Sequence, residues 1–277
     1  NLPGTNGAGQ DRRAPPFCQD VVSYNGMLVV ASGSDLWWSG QVVSGEGVWF
    51  SPAFALTVDG PGDVVGLCAL DGTLYIFKRR SIYACGGEAP SDNGASGGLG
   101  TPRRLAADVG CIDVNSIVAT SMGVFFQSDR GIELLSRSGA VTLIGDKVQD
   151  TLESYPIVSS AVLDDRNGLV RVSLAATESG GRVSGNGRDI VFDLTLGGWQ
   201  SVDTKTGASA NEASQDACMV LYTDTGESSA GIWRYAWMGV DGIVYFERTT
   251  ASASAYVDGS TWITMAAETA WFKTGGI

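Results

Sequence analysis

The sequence predicts an all-β fold, a β-propeller of about five to six blades with three to four antiparallel strands each. First, runs of β-branched and aromatic residues are joined by turn dipeptides, as at Asn25-Gly26 and Asp71-Gly72. These dipeptides favour type I′ turns, because both central residues of such a turn need φ > 0. Second, three such runs recur as a unit about every 40 to 50 residues. A β-sandwich with similar hairpins is the alternative.

The composition agrees with a chain of many tight turns. Of the 277 residues, 38 are glycine and only 8 are proline, and 44% are hydrophobic. Turn signals are spread evenly, so we expect one large all-β domain rather than two smaller ones. No run approaches the ~20 apolar residues of a membrane span.

Residues 1–17 have no periodicity and are rich in turn formers, which predicts an N-terminal arm or linker. The propeller blades follow over residues 18–250. Blade one covers about residues 18–58, and its neighbouring Trp37 and Trp38 point to opposite sides of one strand. One indole should therefore face another blade, and the other a loop or a partner.

Blade two, from Asp63 to Cys85, is the clearest copy of the unit. The glycine-rich residues 86–100 after it predict a long connection, because the Gly-Lys-Ser/Thr ending and the helix of a phosphate-binding loop are missing. Lys78, Arg79 and Arg80 are able to contact phosphate, but three cations at a turn are more typical of a solvated corner.

Blade three begins after Asp108-Val-Gly-Cys111-Ile and runs to Ile144. Val148, Leu152 and Tyr155 then share one helical face, which predicts a single short helix between blades. Blade four has its first hairpin at Asn167-Gly168, and we expect a flexible insert at residues 178–188. Trp199 should pack between sheets.

Blade five covers about residues 217–250 around Asp241-Gly242, and residues 251–277 predict additional strands. Asp258-Gly-Ser-Thr-Trp262 resembles an Asp-box of sialidase-like propellers that is one residue short. The chain starts at Asn1 and ends at Ile277 without a polar tail. We expect it to be a piece of a longer chain.

Several aspartates invite a metal-binding or catalytic interpretation. Asp164 and Asp165 precede the Asn167-Gly168 turn, but the spacing and closing glutamate of a calcium loop are missing. Asp63, Asp71 and Asp241 each lie where a turn explains them. We therefore predict no catalytic, cofactor-binding or metal-binding residues.

Charge and residue types disfavour several function classes. The net charge is −12 and the chain has no histidine, the side chain best suited to general-base chemistry near neutral pH. We therefore predict that the protein is not an enzyme. The acidic balance also argues against a protein that grips nucleic acid through its phosphates.

The cysteines show no metal-binding spacing. Most of the five lie in apolar runs, which predicts buried reduced thiols. Cys68 and Cys85 belong to one blade and can pair if their strands align, a point that the sequence leaves open. The five are Cys18, Cys68, Cys85, Cys111 and Cys218.

Several hairpin phrases resemble one family, the tail nozzle proteins of short-tailed bacteriophages. These are also called tail tubular protein B or packaged-DNA stabilisation protein. The likeness covers roughly residues 60–150 well and the flanks loosely. The phrases are Gly62-Asp63-Val-Val-Gly-Leu, residues 74–83, Asp108-Val-Gly-Cys111, residues 123–128, residues 130–135 and Ile144-Gly145.

The resemblance implies a structural virion protein, assembled in the host cytoplasm and located in the phage tail. In that family a propeller-bearing subunit forms a ring, commonly a hexamer, below the portal and adaptor. The implied partners are further copies of the chain, the adaptor or portal, and tail fibre or tailspike proteins. DNA passes through transiently and without specificity, and no small-molecule substrate or cofactor is implied.

A channel for DNA must not bind its cargo, and excess carboxylates repel phosphate. We hypothesise that acidic side chains line the ring channel, although the sequence does not assign the DNA-facing residues.

Two other function classes compete with this one. A carbohydrate-binding or glycan-hydrolysing, sialidase-like propeller is supported by the tryptophans and the near Asp-box, and it requires paired carboxylates and aromatic platforms. A WD40-like scaffold is disfavoured, because the Gly-His and Trp-Asp dipeptides of that repeat are absent.

Overall fold

The computed structural model describes residues 4–5, 11–91, 96–105, 108–205, 212–222, 231–247, 257–258 and 261–262. In this part the chain forms five successive antiparallel sheets, four with four strands and the fifth with three. The strands of each sheet follow one another in sequence as a simple meander. The sheets are propeller blades, since the first strands of successive blades lie side by side.

Most strands fall within the ranges that the sequence predicts for the blades. The last strand of blade two, at residues 103–104, lies beyond the predicted end at Cys85, and the first strand of blade five begins at Ser214 rather than at residue 217. A small ribbon precedes them, formed by β1 (Gly4–Thr5) and β2 (Asp11–Arg12). Blade one consists of β3 (Asp20–Tyr24), β4 (Met27–Ser32), β5 (Asp35–Ser39) and β6 (Phe50–Thr57). Blade two consists of β7 (Val64–Leu70), β8 (Thr73–Lys78), β9 (Ser81–Cys85) and, after a ribbon of β10 (Gly87–Glu88) and β11 (Gly98–Leu99), β12 (Arg103–Arg104).

The remaining elements continue the same arrangement. Blade three consists of β13 (Val118–Ala119), β14 (Gly123–Ser128), β15 (Gly131–Ser136) and β16 (Val141–Leu143). Blade four consists of β17 (Ile157–Asp164), β18 (Leu169–Ser179), β19 (Arg182–Asp193) and β20 (Gly198–Asp203). Blade five consists of β21 (Ser214–Tyr222), β22 (Ile232–Gly239) and β23 (Val244–Phe246), and a last ribbon pairs β24 (Val257–Asp258) with β25 (Thr261–Trp262).

The hairpin turns confirm the dipeptide signal in part. Asn25 and Gly26 have φ of 42° and 78°, and Asp71 and Gly72 have φ of 50° and 71°, as type I′ turns require. At Asn167-Gly168 and Asp241-Gly242 the hairpins also form, but only the glycines have positive φ. These two connections are longer turns.

The cores lie between the blades and follow from strand alternation. Successive residues of a strand point to opposite faces, and Phe125 and Phe126 of β14 show the result. The Phe126 ring lies 5.1 Å from that of Phe77 in blade two, and the Phe125 ring lies 5.1 Å from that of Phe192 in blade four. Blade three therefore packs against a neighbouring blade on each of its two faces, an arrangement that two stacked sheets do not give.

The predicted helix is present. A 3-10 turn, Gly145–Val148, leads into the helix α1 (Gln149–Ser154). Val148 and Leu152 are buried in the core between blades three and four. The partly buried Tyr155 packs against the same core. A second 3-10 turn, Val114–Ser116, precedes blade three.

The prediction of a flexible insert at residues 178–188 is wrong. β18 and β19 continue as one long hairpin, in which Thr177 pairs with Ser184 and Ser179 with Arg182. Gly180 and Gly181 form its turn, both with positive φ. Backbone pairing across the whole segment gives it the regular structure that its glycine-rich composition did not suggest.

The structure confirms the predicted packing of one indole of the Trp37-Trp38 pair and of Trp199. Trp38 is buried between blades one and two and stacks on Phe54, whereas Trp37 on the other face is half-buried. Trp199 packs edge-on against Phe192 and donates from Nε1 to the carbonyl of Ile144 at 2.6 Å.

Part of the predicted N-terminal arm is described and runs along blade one. Arg13 exchanges two backbone hydrogen bonds with Phe50 of β6, at 2.8 and 2.9 Å, and the Arg12 guanidinium lies over the Trp49 ring. Within the described part of the chain, no helix is long and apolar enough to span a membrane.

Candidate functional site

A cluster of polar side chains lies buried between blades four and five. Lys205 follows β20, and its side chain is only 9% exposed. Its Nζ lies 2.7 Å from Oδ2 of Asp189 in β19. The same Nζ donates to the hydroxyls of Ser214 at 2.7 Å, Tyr235 at 2.9 Å and Ser173 at 3.2 Å. This group of five residues is called the lysine cluster below.

Strand register brings the lysine cluster together. Ser173 of β18 pairs directly with Asp189 of β19, so their side chains share one face of blade four. The neighbours of Ser173 in sequence, Val172 and Leu174, are buried apolar residues. A serine between two apolar residues of a strand was the sequence signal for this buried cluster, and the sequence analysis missed it.

Burial changes the acid–base properties of the lysine cluster. Desolvation lowers the pKa of Lys205, and the nearby Asp189 carboxylate opposes this effect. Desolvation also raises the pKa of the Tyr235 hydroxyl well above its ordinary value, and the negative charge of Asp189 adds to the rise. Tyr235 donates to Asp189 Oδ2 at 3.1 Å, so the carboxylate accepts from two partners.

A lysine beside serine hydroxyls resembles the arrangement that activates a nucleophile. Here Ser173 and Ser214 are 1% and 3% exposed, and Tyr235 is 2% exposed, so a substrate has no access to them. The lysine cluster joins two blades, because Lys205, paired with Asp189 of blade four, donates hydrogen bonds to Ser214 and Tyr235 of blade five.

A second ion pair supports the same interface. Arg171 of β18 donates to both carboxylate oxygens of Glu247 at 3.0 and 3.1 Å. Its guanidinium lies 4.7 Å from the centre of the Tyr235 ring, and Lys205 Nζ lies 4.8 Å from the same centre. Tyr235 is therefore held by two cations and one carboxylate.

The predicted solvated corner at Lys78, Arg79 and Arg80 is wrong for its first residue. Lys78 is fully buried and donates from Nζ to the carbonyls of Val58 at 2.8 Å and Gly60 at 2.9 Å. Burial lowers the pKa of Lys78, while Asp63 and Asp59 oppose the shift. Lys78 thus ties the end of blade one to blade two.

Arg79 and Arg80 remain exposed, as predicted, and they border a cleft between blades two and three. Arg79 Nη2 lies 2.8 Å from Asp129 Oδ1, and Arg80 Nε lies 3.7 Å from Asp129 Oδ2. The cleft has a volume of about 240 Å³ and is called the arginine cleft below. Its lining residues are Arg79, Arg80, Asp108, Val109, Gly110, Ser128, Asp129 and Arg130.

Two carboxyl groups lie near the inner strands of the propeller. Asp20 of β3 accepts from the Leu67 amide of β7 at 2.7 Å and so joins the first two blades. Burial raises the pKa of Asp20 and of Asp113, and the carboxylate of Glu178 adds to the rise at Asp113. The acidic lining expected for a ring channel stays a prediction.

The aspartates with predicted structural roles contact their own turns or neighbouring blades. Asp164 accepts from the Asn167 backbone amide at 3.2 Å and from its side-chain amide at 2.7 Å. Asp241 accepts from the Ile243 amide and the Tyr245 hydroxyl, both at 2.9 Å. Asp71 forms an ion pair with Arg137 of blade three. Asp63 lies beside the buried Lys78.

The question of a Cys68–Cys85 disulfide is settled by the strand order. Cys68 pairs with Tyr75 and Cys85 with Leu74 on opposite edges of β8, so β8 separates the two thiols, and both are free. Burial raises the pKa of Cys68 to about 12 and that of Cys85 and Cys111 to about 11. The prediction of buried thiols holds for these three, whereas Cys18 is half-buried and Cys218 is exposed.

Within the described ranges, histidine, cysteine and acidic side chains form no group that could hold a metal ion. Of the near Asp-box, the structure describes only the pairing of Val257 with Trp262 and of Asp258 with Thr261. Its remaining residues lie outside the described part of the chain.

Neither a scan of protein-family models nor a search of curated proteins finds a match. Among solved structures, the chain is similar to the WD40 domain of Neurospora crassa Pan2, with 10% identity, TM-score 0.41, and coverage of 80% of this chain and 72% of that one. It is also similar to Saccharomyces cerevisiae Sqt1 (11% identity, TM-score 0.36, 82% and 83% covered) and to the computationally designed Ika8 protein (12%, 0.41, 87% and 74%). The propeller architecture therefore rests on the strand order and blade packing of the chain itself.

Proposed function

We propose that the chain is a structural subunit of the tail nozzle of a short-tailed bacteriophage. In this proposal several copies form a ring below the portal and adaptor. The ring retains the packaged DNA and lets it pass at ejection. In this role the protein forms part of the wall of the DNA channel and catalyses no reaction.

The observation that carries the proposal is where the resembling phrases lie. Residues 62–67 and 74–83 belong to blade two, residues 123–128 and 130–135 to blade three, and Asp108 to Cys111 run between the two blades. The backbone amide of Cys111 donates to the Lys78 carbonyl at 3.0 Å, and that of Ile112 donates to the Gln127 carbonyl at 2.9 Å. The phrases thus form one continuous structural unit, as expected of an inherited module.

The described residues are compatible with a structural role in a channel wall. The buried lysine, hydroxyls and aspartate join blades and are closed to substrates. The arginine cleft has no aromatic residue in its lining, whereas a glycan site needs aromatic platforms.

Electron microscopy of virions that carry the protein tests the proposal directly. We expect antibody labelling of this chain, or density for it, at the tail. The density should form a ring with a channel wide enough for duplex DNA. The hypothesis of an acidic channel predicts mostly Asp and Glu on the inward-facing surface. A protein absent from virions, or a monomer that turns over a glycan, would contradict the proposal.

A further inference from the structure

We infer that the arginine cleft binds a carboxylate-bearing surface of a second copy of this chain. The inference rests on the proposed function, because a ring requires a contact between copies, and it names one side of that contact.

The floor of the arginine cleft is fixed to both blades. The segment from Asp108 to Ile112 passes between the β8–β9 turn and the β14–β15 turn. Its Cys111 amide is bonded to blade two and its Ile112 amide to blade three. A side chain at Gly110 would collide with the backbone of Lys78 and Arg79, so the floor lies tightly against the first turn. The arginines therefore project from a rigid base.

Three guanidinium groups border the cleft and are accessible. The side chains of Arg79, Arg80 and Arg130 are 63%, 81% and 58% exposed. Arg130 binds the buried carboxylate of Glu133 through Nε at 3.0 Å and Nη2 at 2.8 Å. A guanidinium has five N–H donors, so each arginine has donors beyond those in its contact with Asp129 or Glu133.

The charge of the cleft identifies the ligand. Three arginines face two carboxylates, Asp129 and Glu133, while Asp108 is paired with Arg104. The cleft therefore has one positive charge in excess, on a chain whose net charge is −12. A single carboxylate neutralises that excess, and arginine binds carboxylates through bidentate hydrogen bonds.

A second copy fits this charge better than nucleic acid does. Every copy carries 30 acidic side chains against 18 basic ones, so its surface offers carboxylates. Charges elsewhere on two copies are screened beyond about 8 Å at physiological salt. Duplex DNA carries one negative charge per ~1.7 Å, so the one excess positive charge of the cleft would neutralise only a small part of the charge that faces it.

Sedimentation velocity of the purified chain over a concentration series tests the inference. The variant R79E/R80E changes the cleft, and R166E/R182E makes the same charge change at two exposed arginines outside it. We expect the wild type to self-associate, R79E/R80E to weaken the association by about tenfold or more, and the control to leave it unchanged. About 1 M NaCl should weaken the wild type in the same way, because the screening length falls to ~3 Å. Equal thermal unfolding of both variants would show that they are folded.

A monomeric wild type at all concentrations, or equal association of the two double variants, would overturn the inference. So would arginine-dependent binding of a duplex oligonucleotide or inorganic phosphate by a monomer, which would assign the cleft to phosphate instead. The measurement uses purified protein, so it is independent of whether the chain is found in virions. A failed virion localisation would contradict the proposed function and leave this result standing.

Discussion

Lys205 and Asp189 show what a buried ion pair does in this fold. The pair is enclosed by Tyr235 and two serine hydroxyls, so nearly every polar atom in the lysine cluster has a partner. Removal of one charge from such a pair costs far more than replacement of both, because the remaining charge is left buried and uncompensated.

For Lys205→Met we expect a loss of about 3 kcal/mol in the free energy of unfolding. The variant leaves the Asp189 carboxylate buried without its cation. The double variant Lys205→Met, Asp189→Asn should regain most of the loss. Urea unfolding checks both variants, with Lys147→Met, at an exposed lysine, as the control. A Lys205→Met protein as stable as this control would show that the ion pair contributes nothing.

The buried thiols predict a loss of stability at alkaline pH. The pKa of Cys68 is raised from 9.0 to about 12, so the folded protein keeps this proton while the unfolded chain releases it. The stabilisation is therefore complete below pH ~9 and is lost as the pH rises toward 12, with a slope of about 1.4 kcal/mol per pH unit.

Between about pH 8 and pH 10.5 the wild type should lose about 2 kcal/mol more than Cys68→Ala, as measured by urea unfolding. Cys218→Ala removes an exposed thiol and should follow the wild type. Parallel curves for the wild type and Cys68→Ala would contradict the assignment of a protected thiol.

At the scale of the element, the hairpin turns fix the register of the blades. Asp71-Gly72 joins β7 to β8, and Asp71 also contacts Arg137 of blade three. The turn therefore sets both the pairing within blade two and a contact with the next blade. Alternation along each strand then distributes apolar side chains to both faces, as Phe125 and Phe126 show.

Gly72→Ala should lower the unfolding free energy by about 1 kcal/mol, because Gly72 has a φ of 71° that an L-residue adopts only with strain. Gly47→Ala is the matched control, since its Cβ would meet no atom within 4 Å and its φ lies outside the left-handed region. Thermal unfolding compares the two variants. Equal midpoints would mean that the left-handed conformation at Gly72 carries no cost.

For the whole molecule, the net charge of −12 sets the expected behaviour toward DNA. A protein that guides DNA without retaining it needs a surface that does not neutralise phosphates. The arginines of the cleft are balanced by neighbouring carboxylates to within one charge, so they do not change this expectation.

Fluorescence anisotropy with a labelled duplex should therefore show no binding at about 10 mM salt and micromolar protein, a condition that favours electrostatic contacts. Micromolar affinity that falls steeply with salt would contradict the wall-like role. In that case R79E/R80E would tell whether the arginine cleft is responsible.

The repeat, the turn positions, the short helix and the all-β class could be predicted from the sequence. These features depend on neighbours in sequence: φ > 0 at Asn25-Gly26 and Asp71-Gly72, and a helical face shared by Val148 and Leu152. Three other features follow only from the three-dimensional arrangement of the strands: Lys78 is buried, β8 separates Cys68 from Cys85, and Lys205 contacts Asp189 and Tyr235. Arg79 and Asp129, 50 residues apart, meet only because blade two packs against blade three. Contacts across such distances depend on how blades pack, and a local pattern of residue types does not contain that information.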